Sequence, residues 1–153
     1  MNHSRIAAFR AGRRFVAVAV FEGTRLDYTQ IRHLASDHQK AEDSAVGFAR
    51  WVLEQFDIES AVVENFADGN KSRRATLTLL VHQVLHSSGI SIWKVGREEL
   101  LEAFGIPPLK TYKELQSIAA SFWPILVDQR QAGACMDAAA LGLYVATERL
   151  FLT

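Results

Sequence analysis

The sequence predicts a three-layer α/β/α domain on a five-stranded mixed sheet, with three antiparallel strands followed by two parallel ones. Three observations carry this expectation. The first third of the chain holds β-rich runs separated by turns too short for a crossover. The hydrophobic period then switches from that of strands to that of a helix. From there on, short apolar strands alternate with helices, the pattern of parallel strands reached through crossovers.

Residues 6–9 (IAAF) read as a short apolar strand, and residues 11–14 (AGRR) suit a tight turn. Residues 14–21 (RFVAVAVF) are rich in β-formers, Glu22-Gly23-Thr24 is a second turn, and residues 25–34 alternate loosely around Leu26, Tyr28 and Ile31. Turns this short join antiparallel neighbours. From Glu42, the residues Ala45, Phe48, Ala49, Val52 and Phe56 fall on one helical face, with Asp43 and Ser44 near the start as capping chemistry prefers. Residues 60–65 (SAVVEN) are continuously apolar up to a glutamate, as a central parallel strand covered on both faces should be. A helix over 72–87 carries the stripe Leu77, Leu80, Val81, Val84 and Leu85 and ends at Gly89. Residues 90–95 (ISIWKV) form the fifth strand, 97–105 a short helix closed by Gly105, and Pro107-Pro108 an extended break. Helices over 111–126 and 134–150 complete the chain.

At 153 residues the chain suits one domain over 1–153 and is too short for two comfortable ones. Seventeen basic residues balance seventeen acidic ones, so global charge gives no support for a partner held mainly by phosphate neutralisation. The single cysteine, Cys135, has no internal partner and lies in the small-residue run GACMDAAA, which suits a buried, reduced, inert thiol. Arg10, Arg13 and Arg14 interrupt any signal-peptide core, and no apolar stretch approaches a membrane span. A soluble cytoplasmic protein with no membrane partner is the expectation.

Glu64 is the first site candidate. It stands at the carboxyl end of a strand that reads as buried on both faces, where an unpaired charge is costly. In mixed sheets, ligands collect beyond the carboxyl ends of the strands where the strand order reverses. Pairing or metal coordination are the two ways such a carboxylate is satisfied.

The element order, the stretch AVVEN at the fourth strand and the run DAAALGL in the last helix resemble the RuvC-type Holliday-junction resolvases of the ribonuclease H-like superfamily. The similarity spans nearly the whole chain. In that family a first-strand aspartate before a glycine turn, a fourth-strand glutamate and an acidic pair three apart in the last helix hold two divalent metals for phosphodiester cleavage. The resemblance matches Glu64 to the strand glutamate and Asp137 to the second acid of the last helix. The other two positions depart: Arg10-Ala11-Gly12 stands where Asp-x-Gly would, and Ala134 stands three residues before Asp137. A guanidinium cannot be deprotonated in a protein and cannot bind Mg²⁺. Two readings follow. In the first, Arg10 lies between Glu64 and Asp137 and an ion-pair cluster has replaced the metal centre, leaving a pseudo-nuclease that serves as a nucleic-acid-binding or protein-interaction module and needs no cofactor. In the second, Arg10 turns to solvent and an endonuclease uses Glu64, Asp137 and further ligands with Mg²⁺. The resemblance also implies weak contact with branched or structured DNA, and a homodimer to which the 72–87 helix contributes.

Other residues have both functional and ordinary readings. Lys113, at a helix start, resembles a lysine placed near the scissile phosphate; it also suits a solvated helix end. Lys71, Arg73 and Arg74 cluster at the start of the 72–87 helix, against the helix dipole; they suit phosphate binding or simple solvation. Phe66 suits stacking on an unpaired base or packing under its own loop. His82 and His86 stand at i,i+4 without a visible third ligand or the glutamate of a zinc-protease helix, and read as ordinary helix residues. Nothing in the spacing of His3, Asp27, His33 and Asp68 argues for a rebuilt metal site. No Ser-His-Asp arrangement and no Gly-rich phosphate loop is present.

Overall fold

The computed structural model describes residues 5–128 and 132–152. In chain order these form β1 (Arg5–Ala11), β2 (Phe15–Glu22), β3 (Arg25–His33), α1 (His38–Gln55), β4 (Ser60–Glu64), α2 (Arg73–Ser87), β5 (Ser91–Val95), α3 (Arg97–Ala103), α4 (Tyr112–Phe122), a 3-10 turn (Pro124–Asp128) and α5 (Ala132–Leu152). The sheet order is β3-β2-β1-β4-β5. β1, β2 and β3 pair antiparallel, and β4 joins β1 and β5 in parallel. The order therefore reverses between β1 and β4, the point at which the two site strands lie side by side.

Strand alternation divides the core into two layers. On one face Ile6 and Ala8 of β1 and Val62 of β4 pack with α3, α4 and α5; on the other, Ala7, Phe9, Ala61 and Val63 pack with α1 and α2. α5 lies close against β1 and β2 because Gly142 leaves room: a Cβ there would sit 2.4 Å from the Phe21 ring. That closeness sets the depth at which Asp137, one helical turn and a half earlier, meets the sheet.

Several local expectations change. α1 begins a turn before Glu42, capped by Asp37, whose carboxylate accepts from the Lys40 N–H, and not by Asp43 or Ser44. A carboxylate just before the first turn satisfies an orphan N–H, which neither inner residue can do from inside the helix. The helix expected over 111–126 stops at Phe122. Pro124 disfavours helical backbone at Trp123, and the chain continues as a 3-10 turn. Gly89 does adopt the left-handed conformation that ends α2 (φ 74°), whereas Gly105 is not among the glycines with positive φ. Gly105 is needed for space: a Cβ would meet Leu109 at 2.7 Å.

The apolar stripe of α2 is spent inside the molecule. Leu77, Val81, Val84 and Leu85 are buried against the sheet and α1, and Leu80 is half-buried against the same layer. Leu79, on another face, is 56% exposed. Among the described residues no helix is long and apolar enough to cross a membrane.

Gly142→Ala forces a methyl into a fully buried contact with Phe21. We expect it to destabilise the fold by roughly 1–3 kcal/mol, read as a lowered urea midpoint; an unchanged midpoint would show that α5 does not sit this close to β2.

Candidate functional site

Register places Arg10 beside Glu64. β1 and β4 run parallel with Ala8 opposite Val62, so two residues further on the same face Arg10 and Glu64 are neighbours. That face is covered by α4 and α5, which bring Tyr112, Gln116 and Asp137 over the same spot. From the other side α2 begins just past the carboxyl end of β4, and Arg74 in its first turn reaches back over the strand ends.

The result is a cluster of two carboxylates and two guanidinium groups. Arg10 Nη1 donates to Glu64 Oε1 at 2.8 Å, and Arg10 Nε lies 3.7 Å from Asp137 Oδ2. Arg74 Nη2 donates to the same Glu64 oxygen at 2.6 Å, while its Nε donates to the Ala11 carbonyl at 3.0 Å. The Gln116 amide donates to both Asp137 oxygens at 3.2 and 3.3 Å. Gly133 makes room for this, since a Cβ there would press on the Gln116 amide at 3.1 Å. The Arg10 guanidinium also lies over the Tyr112 ring, 4.4 Å from its centroid. Burial pushes the Tyr112 phenol up, so the ring stays neutral and serves as a cation–π partner.

Glu64 and Asp137 are both buried, at 6% exposure each, but their electrostatics differ. Glu64 faces two cations at hydrogen-bond distance. Asp137 is raised to about 6, chiefly because burial penalises its charge; Arg10, the Gln116 amide and Arg74 pull it down, and Glu64 pushes it up. The Arg10–Asp137 separation of 3.7 Å is too long to offset the desolvation.

The other sequence candidates spread out around this cluster. Arg74 belongs to it, and its guanidinium lies 5.3 Å from the centroid of the half-buried Phe66 ring. Arg73 turns away, donating to the His38 carbonyl at 3.3 Å and lying 4.0 Å from Glu42. Lys71 and Lys113 are exposed. Ala134 is half-buried one turn before Asp137. The His82 and His86 rings stack in parallel 6.3 Å apart. Asp27 pairs with Arg25 at the opposite end of the sheet, and His3 lies outside the described residues. Sequence reasoning missed Tyr112 and Gln116; their i,i+4 spacing on one face of α4 was the available signal.

This donor set does not fit a two-metal centre. Such a centre needs several free carboxylate oxygens converging on one spot. Here a guanidinium nitrogen already sits 2.8 Å from Glu64, and among the described residues no group of three or more His, Cys, Asp or Glu is placed to share an ion.

Removing one member of a buried ion pair leaves the other charge unpaired, at a cost of roughly 3–5 kcal/mol. Glu64→Ala strands both the Arg10 and Arg74 guanidinium groups and should lower stability on that scale, whereas Arg10→Ala leaves Glu64 its Arg74 partner and should cost less; chemical denaturation of both checks this. For Asp137 the folded value of about 6 exceeds the ordinary 3.8, so the folded state holds the extra proton between those values. Stability from this group is present below pH 4 and falls as pH rises through about 6, by roughly 1–3 kcal/mol. Asp137→Asn should flatten that fall, seen by unfolding at pH 4.5 and pH 7.5.

No family model and no curated protein matches the chain. Solved structures do. Thermus thermophilus RuvC in complex with Holliday junction substrate aligns over 97% of this chain and 96% of its own, with a TM-score of 0.75 at 15% identity. The fowlpox virus Holliday junction resolvase aligns over 94% and 99%, with a TM-score of 0.63 at 10% identity. The yeast mitochondrial Holliday junction resolvase Ydc2 aligns over 98% and 83%, with a TM-score of 0.66 at 8% identity. With the strand order and helix layers described above, these likenesses give the chain the ribonuclease H-like fold of the RuvC-type Holliday junction resolvases.

Proposed function

We propose that this chain is a RuvC-like nucleic-acid-binding protein in which an arginine-centred ion-pair cluster has taken the place of a metal centre. The observation that carries the reading is the Arg10 guanidinium, 2.8 Å from Glu64 and 3.7 Å from Asp137 at the strand-order reversal. A cation fixed there neutralises the carboxylates that would otherwise draw a dication. It has no exchangeable coordination site with which to activate water. Arg10, Arg74, Glu64 and Asp137 hold the shape of the site, and Gln116 and Tyr112 position Asp137 and Arg10. The proposed nucleic-acid contacts are Lys71 and Lys113, with Arg74 and Phe66 at the floor. That the fold neighbours include a RuvC solved with Holliday junction substrate makes branched DNA the first ligand to try.

The test is Mg²⁺ and Mn²⁺ titration by calorimetry on wild type and Arg10→Asp, with four-way DNA junction binding followed by fluorescence anisotropy. We expect no metal heat in wild type, measurable heat in Arg10→Asp, and junction binding by wild type without cleavage. Metal binding and junction cleavage by wild type, both lost in Glu64→Ala, would overturn the reading in favour of a working endonuclease.

A further inference from the structure

The charges of this neutral chain are unevenly engaged. At the amino end of β1, Arg5 and Arg25 pair with Glu22, and Arg25 with Asp27. At the carboxyl end, Arg13, Arg14, Arg32 and Lys71 are all exposed. None of them makes an ion pair among the described residues. Several acids nearby are already committed: Asp37 caps α1, Glu42 faces Arg73, and Glu64 is held by Arg10 and Arg74. The exposed Asp43 and Asp68 make no ion pair among the described residues.

Topology brings these cations together. β3 runs in the same direction as β1 and β4, so Arg32 at its carboxyl end lies at the same edge as the β1–β2 turn and the start of α2. The turn is built to a fixed shape. Gly12 N–H donates to the Phe15 carbonyl at 2.9 Å, and Leu34 N–H donates to the Arg14 carbonyl at 2.8 Å, tying the tip to the end of β3. A Cβ at Gly12 would sit 2.2 Å from the Phe15 ring, so the turn requires glycine there. Arg32 is held over the Phe48 ring at 5.3 Å, on the α1 side of the sheet. From β3 to β4 is three strand spacings, about 14 Å. Phosphates recur every 3.4 Å of axis along each strand of duplex DNA, so that distance covers about four of them.

We propose that the Arg13–Arg14 hairpin tip, with Arg32 and Lys71, is a phosphate-backbone contact that holds one strand of a nucleic acid along the α1–α2 side of the ion-pair cluster. This is a bank separate from Lys113, which lies across the sheet on α4. The inference rests on the nucleic-acid reading above and adds to it where the strand runs. Being exposed and without an ion pair among the described residues, these side chains give up no carboxylate partner on meeting phosphate, and the turn that carries Arg13 and Arg14 is already fixed in shape. Their contribution is independent of base sequence and depends on salt.

The experiment is anisotropy titration of a labelled four-way DNA junction with the full chain between 50 and 200 mM salt. It compares wild type, Arg13→Ala/Arg14→Ala, and Arg50→Ala as a control for an exposed cation on the body of α1. Each phosphate contact contributes about 0.9 to the slope of log affinity against log salt. The double variant should therefore bind with a slope shallower by about 2, while Arg50→Ala keeps the wild-type slope. Equal slopes for wild type and the double variant would overturn this inference and leave the nucleic-acid reading standing. A matching drop in Arg50→Ala would also overturn it, by showing an effect of net charge without a placed contact. Absence of any junction or duplex binding by wild type at 50 mM salt would overturn the nucleic-acid reading and this inference together. Unchanged thermal unfolding of the double variant verifies that only surface charge was altered.

Discussion

The carboxylate of Glu64 is the constraint around which the carboxyl end of the sheet is organised. It lies on a strand covered on both faces, and a charge in that position is tolerated only with partners at hydrogen-bond distance. Two guanidinium groups supply them on one oxygen, Arg10 from the neighbouring strand and Arg74 from the following helix. The consequences reach outward. Arg74 links the first turn of α2 to β4 and, through the Ala11 carbonyl, to β1. Arg10 ties β1 to α4 through the Tyr112 ring and to α5 through Asp137. One buried charge thus draws together both helical layers at the place where the strand order reverses.

An arginine and a dication solve the same electrostatic problem in different ways. Both neutralise converging carboxylates. A hard cation does so with exchangeable coordination positions, one of which can carry and acidify a water. A guanidinium does so with fixed N–H donors, is never deprotonated, and leaves nothing to exchange. On the reading proposed above, the cluster has the static role of shaping a surface. Asp137 is less fully compensated than Glu64: with Arg10 at 3.7 Å, burial dominates its titration.

Much of the fold was legible before any coordinates. The three closely spaced β runs, the continuously apolar SAVVE and the helix periodicity of 72–87 map onto β1 to β4 and α2 with shifts of a residue or two at their ends. The misjudged places have local causes. Asp43 and Ser44 resemble caps in composition, but capping depends on where the helix begins, and the apolar pattern alone does not mark the start. Pro124 was a stop signal inside an otherwise helical pattern. At the site, Glu64 stood out by position and residue type, and Arg10 and Asp137 through the resemblance to the RuvC-type family. Arg74 read as a helix-start cation, phosphate-binding or solvated, and the i,i+4 spacing of Tyr112 and Gln116 put them on one helical face without saying what that face meets, because their roles exist only once α4 packs beside β1 and α5.

The sequence by itself determined the order and period of the elements and the presence of a glutamate where charge is costly, since both depend on patterns within a few residues. It also determined that an arginine occupies the first-strand position next to the glycine turn. Tertiary structure alone decided what that arginine does. Parallel pairing of β1 with β4 sets a register in which residues 54 apart in sequence become neighbours, and the close seating of α5, permitted by Gly142, brings a second carboxylate to the same guanidinium. Register and packing depth are sums over many weak contacts, so no short stretch of sequence states them. The use of the α2 stripe was decided at the same level: its periodicity was visible, but whether it faced this protein's own sheet or another molecule depended on the core it closes.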